Sequence, residues 1–293
     1  MLRTISKWPR RLVRRALNRY APPEVRVAIE YLKADAATAF PARNMVVTRE
    51  VPTASVLVLA PHPDDEVIGM GGTLHMHVTN GSRVTVLYMT DGAGLGASRG
   101  ELTGTRRREA RRFGHACGVE QIFWDEKDTC LTNGRETVNE LTDVIRKVRP
   151  SCVYLPSYFD RHYDHFSANA ILAGALERLP STEITVLGYE VWDNIPFHNY
   201  VVDISRHVET KKSLMQHYRT PLQFTDFIQL FECRGAAHYM LYVDSRVQQE
   251  GTRYAEAFSR FDARTYRQLF ESYVKALRAH RSPMVRHLCE PEC

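Results

Sequence analysis

One stretch limits what this chain can fold into: residues 55–66 read SVLVLAPHPDDE, an apolar run that passes directly into one histidine and three carboxylates. Residues 56–60 have the length and branched content of a strand covered on both faces, as in a parallel sheet. Pro63 and the acids Asp64, Asp65 and Glu66 suit the first turn of a following helix, where anionic side chains meet the positive end of the dipole. His62, Asp64 and Asp65 then sit at the carboxyl end of a strand, the rim on which open α/β sheets hold their ligands.

The same unit repeats along the chain. Val67, Met70, Leu74 and Val78 mark an amphipathic helix closed by Asn80-Gly81, and residues 83–90 (RVTVLYMT) form the next strand, ending in Asp91-Gly92. A helix over 105–117 stops at Gly118 and leads to a short strand at 121–124. Val138, Leu141, Val144 and Val148 mark a further helix that Pro150 ends, and strands at 152–155 and 184–188 flank an apolar helix over 166–179. Such alternation predicts parallel strands with right-handed crossovers, so that all the strand-to-helix loops open on one edge. That edge brings together His62 to Asp65, Asp91-Gly92, Asp125 to Asp128 and the loop at 157–165. Beyond residue 190 the rhythm weakens to a strand at 201–204, a helix over 205–218 and a terminal helix over 265–280.

The expected fold is α/β: a Rossmann-like, open, mostly parallel sheet with helices on both faces, plus a smaller C-terminal α+β portion. Its expected divisions are a basic extension and helix (1–53), the main domain (54–260) and a C-terminal helix and tail (261–293). A chain of 293 residues with 44% hydrophobic residues can bury a full core.

The formal charge of +5 is localised: residues 1–19 carry seven basic side chains and no acid, leaving the rest slightly negative. Apolar residues interleave with those charges, a pattern that allows peripheral contact with an anionic membrane surface. A solvated basic extension is the competing reading, and Pro9, which interrupts the helical pattern, favours it. No apolar run reaches the ~18 residues of a membrane span, and no secretory-type apolar segment opens the chain, so a cytoplasmic protein is expected. The six cysteines include no C-x-x-C pair and read as free thiols.

The second informative stretch is residues 160–165, DRHYDH, in the loop after the fourth strand. A zinc ion used for hydrolysis takes three nitrogen or oxygen ligands and keeps one position for water. His62, Asp65 and one histidine of this second loop satisfy that count; ferrous iron accepts the same ligands. Glu66 reads as a helix-capping acid, and His75, His77, His115, His207, His238, His280 and His287 as structural or solvated. The arginine run at 107, 108, 111 and 112 reads as a solvated helix face or, alternatively, a contact for an anionic substrate.

His-Pro-Asp-Asp-Glu after a first strand, with Asp-x-His-x-Asp-His after a later one, resembles the PIG-L or LmbE-like family of zinc-dependent N-acetylglucosaminyl de-N-acetylases. Thr90-Asp91-Gly92, Arg106-x-x-Glu109, Val202-Asp203-Ile204-Ser205 with Lys211 and His217, and Tyr254-Ala255-Glu256-Ala257-Phe258 extend the resemblance over about residues 54–260. It implies zinc held by His62, Asp65 and His165, with Asp64 as general base. It further implies that His162 steadies the oxyanion and protonates the departing amine, that Asp164 orients the His162 ring, and that Arg106 contacts substrate. Tyr163 stands where the family often has proline.

The implied reaction removes the acetyl group from an N-acetylglucosamine-type sugar, small or lipid-linked, releasing acetate and a free amine. A metal-dependent amidase acting on a non-sugar amide is the alternative within enzymes, since loops rather than ligands set the substrate. A nucleic-acid-binding protein is disfavoured, because the basic excess is confined to residues 1–19 and no zinc-finger or RNA-recognition signature is present. Substrate choice is expected in residues 92–104 and 190–200, where Trp192, Phe197 and Tyr200 could form a stacking wall, with core packing as their competing use.

Overall fold

The computed structural model describes residues 45–94, 99–180, 183–243, 253–279 and 284–285. The basic segment at 1–19, the helix expected after Pro23, most of the terminal tail and the two last cysteines lie outside the described residues.

The described chain forms one eight-stranded sheet in the order β1-β7-β8-β6-β5-β2-β3-β4. Its strands are β1 (Val46–Thr48), β2 (Ser55–Ala60), β3 (Arg83–Thr90), β4 (Glu120–Glu126), β5 (Cys152–Pro156), β6 (Thr185–Tyr189), β7 (Tyr200–Asp203) and β8 (Ala255–Asp262). Helices α1 (Asp65–Thr79), α2 (Arg99–Cys117), α3 (Arg135–Val148) and α4 (Tyr163–Arg178) make the crossovers. Three more, α5 (Val208–Met215), α6 (Arg219–Leu222) and α7 (Phe227–His238), follow β7, and α8 (Ala263–Ala279) follows β8.

Period-two burial sorts the sheet's side chains onto two faces. Leu57, Leu59, Leu87, Val153 and Leu155 pack on one side with α3, α4 and α8. Val56, Val58, Val84, Val86 and Tyr154 pack on the other with α1, α2, α5 and α7. Helices therefore cover both faces, and the fold is α/β with an open, mostly parallel sheet.

From β2 the chain builds outward through β3 to β4, then returns to place β5 on the other side of β2. β2 and β5 are parallel neighbours, with Leu57 opposite Val153. The switch in direction thus falls between the two strands whose loops carry the histidine motifs, which is where open α/β sheets leave a crevice.

Several expectations change, among them the start of α2, which lies at Arg99 and not at 105. β8 is a strand that the sequence reading missed, and it is antiparallel to both β6 and β7. It extends the main sheet, and β1, also missed, pairs with β7 at its rim. α4 starts at Tyr163, three residues before the expected start, because the His162 Nδ1 accepts the Asp164 N–H at 3.2 Å and caps the first turn. The single helix expected over 205–218 is α5 alone, and α6 follows separately. Finally, Cys130 is disulfide-bonded, whereas Cys117, Cys152 and Cys233 are free thiols.

Candidate active site

The site is built first from a turn that the chain holds under strain. Asp64, between Pro63 and α1, has φ of 138°, a conformation that side-chain-bearing residues rarely adopt. Its N–H donates to Glu66 Oε2 at 3.1 Å, and its carbonyl accepts the N–H groups of Val67 and Ile68. Glu66 is itself fully buried and accepts hydroxyl protons from Tyr88 and Tyr218. It therefore anchors the strained turn from below, a larger part than capping α1. Burial pushes its carboxyl up to about 8, against the Tyr218 hydrogen bond.

The turn aims its side chains inward. The His62 N–H donates to Asp65 Oδ2 at 2.8 Å, and that oxygen faces His62 Nδ1 at 3.3 Å and His165 Nε2 at 3.2 Å. The outward nitrogen of each ring meets a second carboxylate. His62 Nε2 lies 3.0 Å from Asp164 Oδ2 and 3.2 Å from Asp128 Oδ1, and His165 Nδ1 lies 3.2 Å from Asp160 Oδ1. Carboxylates behind histidine ligands fix the tautomer and raise ligand basicity in metal sites.

Electrostatics follow from this density of acids. Burial opposes protonation of His165, but Asp65 and Asp160 outweigh it and raise the ring to about 10. Hydrogen bonds to Asp128, Asp164 and Asp65 likewise overcome burial at His62 and raise it well above its usual value. Asp65 is held well below the carboxylate range, its burial overcome by the two imidazoles. Such a site favours an added positive charge. The His165 ring is fully buried, yet neither nitrogen makes a hydrogen bond of sound geometry. Nitrogens of His62, His162 and His165 all come within 4.8 Å of one another. His62, Asp65 and His165 thus fit a divalent ion on this structure's own evidence: converging nitrogen and oxygen donors, unsatisfied ring atoms and excess acid.

Asp64 lines a cleft of about 360 Å3 together with His62, Asp65, Asp128 and His162. Burial raises its carboxyl to about 6, with Arg106 pulling the other way. Arg106, from α2, donates from Nη2 to Asp64 Oδ2 at 3.2 Å and from Nε to the Gly92 carbonyl at 3.1 Å. Gly92 has φ of 61°, and a Cβ there would lie 2.6 Å from Pro63 Cδ, so only glycine lets the β3 loop approach the β2 loop.

The structure brings all seven predicted residues to one place, but Asp164 contacts differ from expectation. Its carboxylate accepts the N–H groups of Thr129 and Leu131 and faces His62, while only its backbone N–H touches the His162 ring. Sequence reading passed over Asp128 and Asp160 as individual site residues. Asp160 also accepts the N–H groups of His162 and Trp192, tying the histidine loop to the cleft wall. The arginine run does not face the cleft: Arg107 pairs with Asp125, and Arg107 and Arg111 lie over Phe123. Of the three aromatics in the second candidate loop, Trp192 lines the cleft, Phe197 packs against Phe159, and Tyr200 is core.

Fold and cluster together define an α/β protein with a candidate metal centre at the switch point of a parallel sheet. Residues 57–176 match the family described as PIG-L: GlcNAc-PI de-N-acetylase, the family that the two histidine motifs resemble. It is 36% identical over 176 residues to diacetylchitobiose deacetylase of Thermococcus kodakarensis, covering 53% of this chain and 66% of that protein. Over 133 residues it is 32% identical to 4-oxalmesaconate hydratase of Pseudomonas putida, covering 42% of this chain and 50% of the relative. The chain therefore spans between half and two thirds of the length of these relatives. A solved structure of N,N'-diacetylchitobiose deacetylase from Pyrococcus horikoshii, complexed with its inhibitor, superposes with a TM-score of 0.59 at 28% identity. That superposition covers 73% of this chain and 86% of the other.

Proposed function

We propose that this chain is a metal-dependent hydrolase that removes the acetyl group from an N-acetylglucosamine-type amino sugar. The observation that carries this reading is the convergence of His62 Nδ1, Asp65 Oδ2 and His165 Nε2, each ring backed by a carboxylate, beside an Asp64 that faces an open cleft. Deacetylase relatives with diacetylchitobiose in their names support the amino-sugar assignment.

His62, Asp65 and His165 would hold the ion, with zinc the expected metal and ferrous iron an alternative for the same donors. Such an ion supplies Lewis-acid polarisation of the amide carbonyl and a more acidic water. The chain's own residues do the rest. Asp64, oriented by Arg106, takes the proton of the attacking water. The Asp164 N–H occupies His162 Nδ1, so the neutral ring carries its hydrogen on Nε2, a donor for the developing oxyanion. A neutral ring that donates this one proton would become an anion. The proton for the departing amine is therefore best returned by Asp64, which departs from the donor role expected of His162.

The test is acetate release from N-acetylglucosaminides by metal-loaded protein, beside a chelated sample and Asp64→Ala. Both controls are expected to lose activity, the variant by about 10²- to 10⁴-fold, the usual contribution of a positioned acid-base group. Metal binding without acetate release from any glycoside would exclude the deacetylase reading and leave hydration or non-sugar amide chemistry at the same centre.

A further inference from the structure

The cleft has a wall that deacetylation itself does not use. Phe224 is 82% exposed and Trp192 is 48% exposed, and both line the cleft together with Pro221, Phe227, Ile68 and Leu102. Clustered, solvent-facing aromatic rings beside a concave polar floor mark a ligand contact rather than core. The wall is held in place before any ligand arrives. The Trp192 N–H donates to Asp160, the Val191 and Trp192 carbonyls accept from Arg234, and the Trp192 ring meets Phe227 edge-on at 5.1 Å. Behind it, the buried carboxylate of Glu190 collects His198, His238 and the Ile195 N–H. On the other side, Phe224 ends a turn whose N–H groups bond back to the Pro221 carbonyl.

Charge is as informative as shape. Apart from histidine, Arg106 is the only basic side chain on the described lining, and it is committed to Asp64 and Gly92. A phosphate-bearing aglycone would find no free counter-charge among the described residues of this wall. An apolar one would bury aromatic surface that is now wet, at no desolvation cost to an ion.

We propose that the Trp192–Phe224 wall is an aglycone subsite and that the preferred substrate is an amino sugar carrying an uncharged, apolar alkyl or aryl aglycone. This rests on the deacetylase reading, which supplies the sugar, while the wall supplies the preference. A second protein docking on this face is the rival occupant; the wall's continuity with the His/Asp floor of the same cleft favours the substrate.

The experiment compares methyl, hexyl and octyl N-acetylglucosaminides, and one glycoside with a phosphate in its aglycone, as substrates of the metal-loaded full chain. Binding of the matching free-amine products is measured alongside by calorimetry. From methyl to octyl, KM is expected to fall about tenfold, a conservative share of the transfer free energy of the added methylenes, with kcat little changed. Phe224→Ser and the double variant with Trp192→Ser should flatten that dependence; Phe224 is exposed enough for its substitution to leave folding intact. Acetate release with equal KM across the series, a preference for the phosphate glycoside, or a chain-length dependence that persists in the double variant overturns the subsite. Chain-length-dependent binding of the amine products without acetate release from any glycoside would overturn the reaction and leave the subsite standing.

Discussion

Asp64 carries two burdens at once, a strained backbone and a cleft-facing carboxylate, and they separate by substitution. Glycine tolerates the φ of 138° that alanine resists. Both Asp64→Gly and Asp64→Ala remove the carboxylate and leave Arg106 equally without its ion pair. Thermal or urea unfolding should therefore rank the glycine variant above the alanine variant by about 1–2 kcal/mol, with both equally inactive. Equal stability would mean that the turn relaxes once the acid is gone. Which site residues the sequence disclosed follows from the same physics. His62, Asp64, Asp65, His162, Asp164 and His165 lie in two dense motifs at strand ends, so residue type and position speak together. Asp128 has no such company in the sequence, and Asp160, though it opens the second motif, shows its part only when the β5 loop sets it against the His165 ring, as the β4 loop sets Asp128 against His62. Nor could the sequence show where Asp164 points, because Thr129 and Leu131, whose N–H groups claim its carboxylate, belong to a different loop.

Among elements, β2 to β6 and the helices between them were legible because continuous apolar runs and 3.6-residue periodicity are local signals. β8 was not, because its buried positions include Glu256 and Ser259, which break the apolar run. Glu256 is buried for a structural reason that only the fold reveals. Its oxygens accept the N–H groups of Gly72 and Thr73 in α1, and Oε1 also accepts from Lys211 Nζ of α5 at 2.8 Å. Lys211 donates as well to the Ile68 carbonyl, where α1 kinks at Met70, so one buried ion pair joins two helices and a strand. Lys211→Met should cost about 3–5 kcal/mol in urea unfolding, since it strands a buried carboxylate while adding little volume change. An unaltered midpoint would show that the two backbone N–H groups suffice to hold Glu256.

At the scale of the whole molecule, the sheet is a parallel block of β4-β3-β2-β5-β6 to which β8 and then the β7-β1 pair are added. Every candidate metal ligand comes from the block, specifically the loops after β2 and β5. The added strands bear no ligand. They flank α7, whose Arg234 and His238 brace the cleft wall, while the wall's own Trp192 follows β6 of the block. A chain ending at residue 254 is expected to lose amide protection at Tyr200–Asp203 and Val46–Thr48 and to associate through the uncovered edge of β6. Hydrogen exchange and light scattering would show both, and retained protection at β7 would argue that it docks without β8. β8 is also the last strand of the described chain to be synthesised, yet it occupies an inner position. As the polypeptide leaves the ribosome, the segment holding the candidate ligands can assemble early, while the β1–β7 pair waits for residues up to 262 before it can join the sheet. While residues 166–262 are being added, then, the nascent protein would own a candidate reaction centre but no finished means of choosing what enters it.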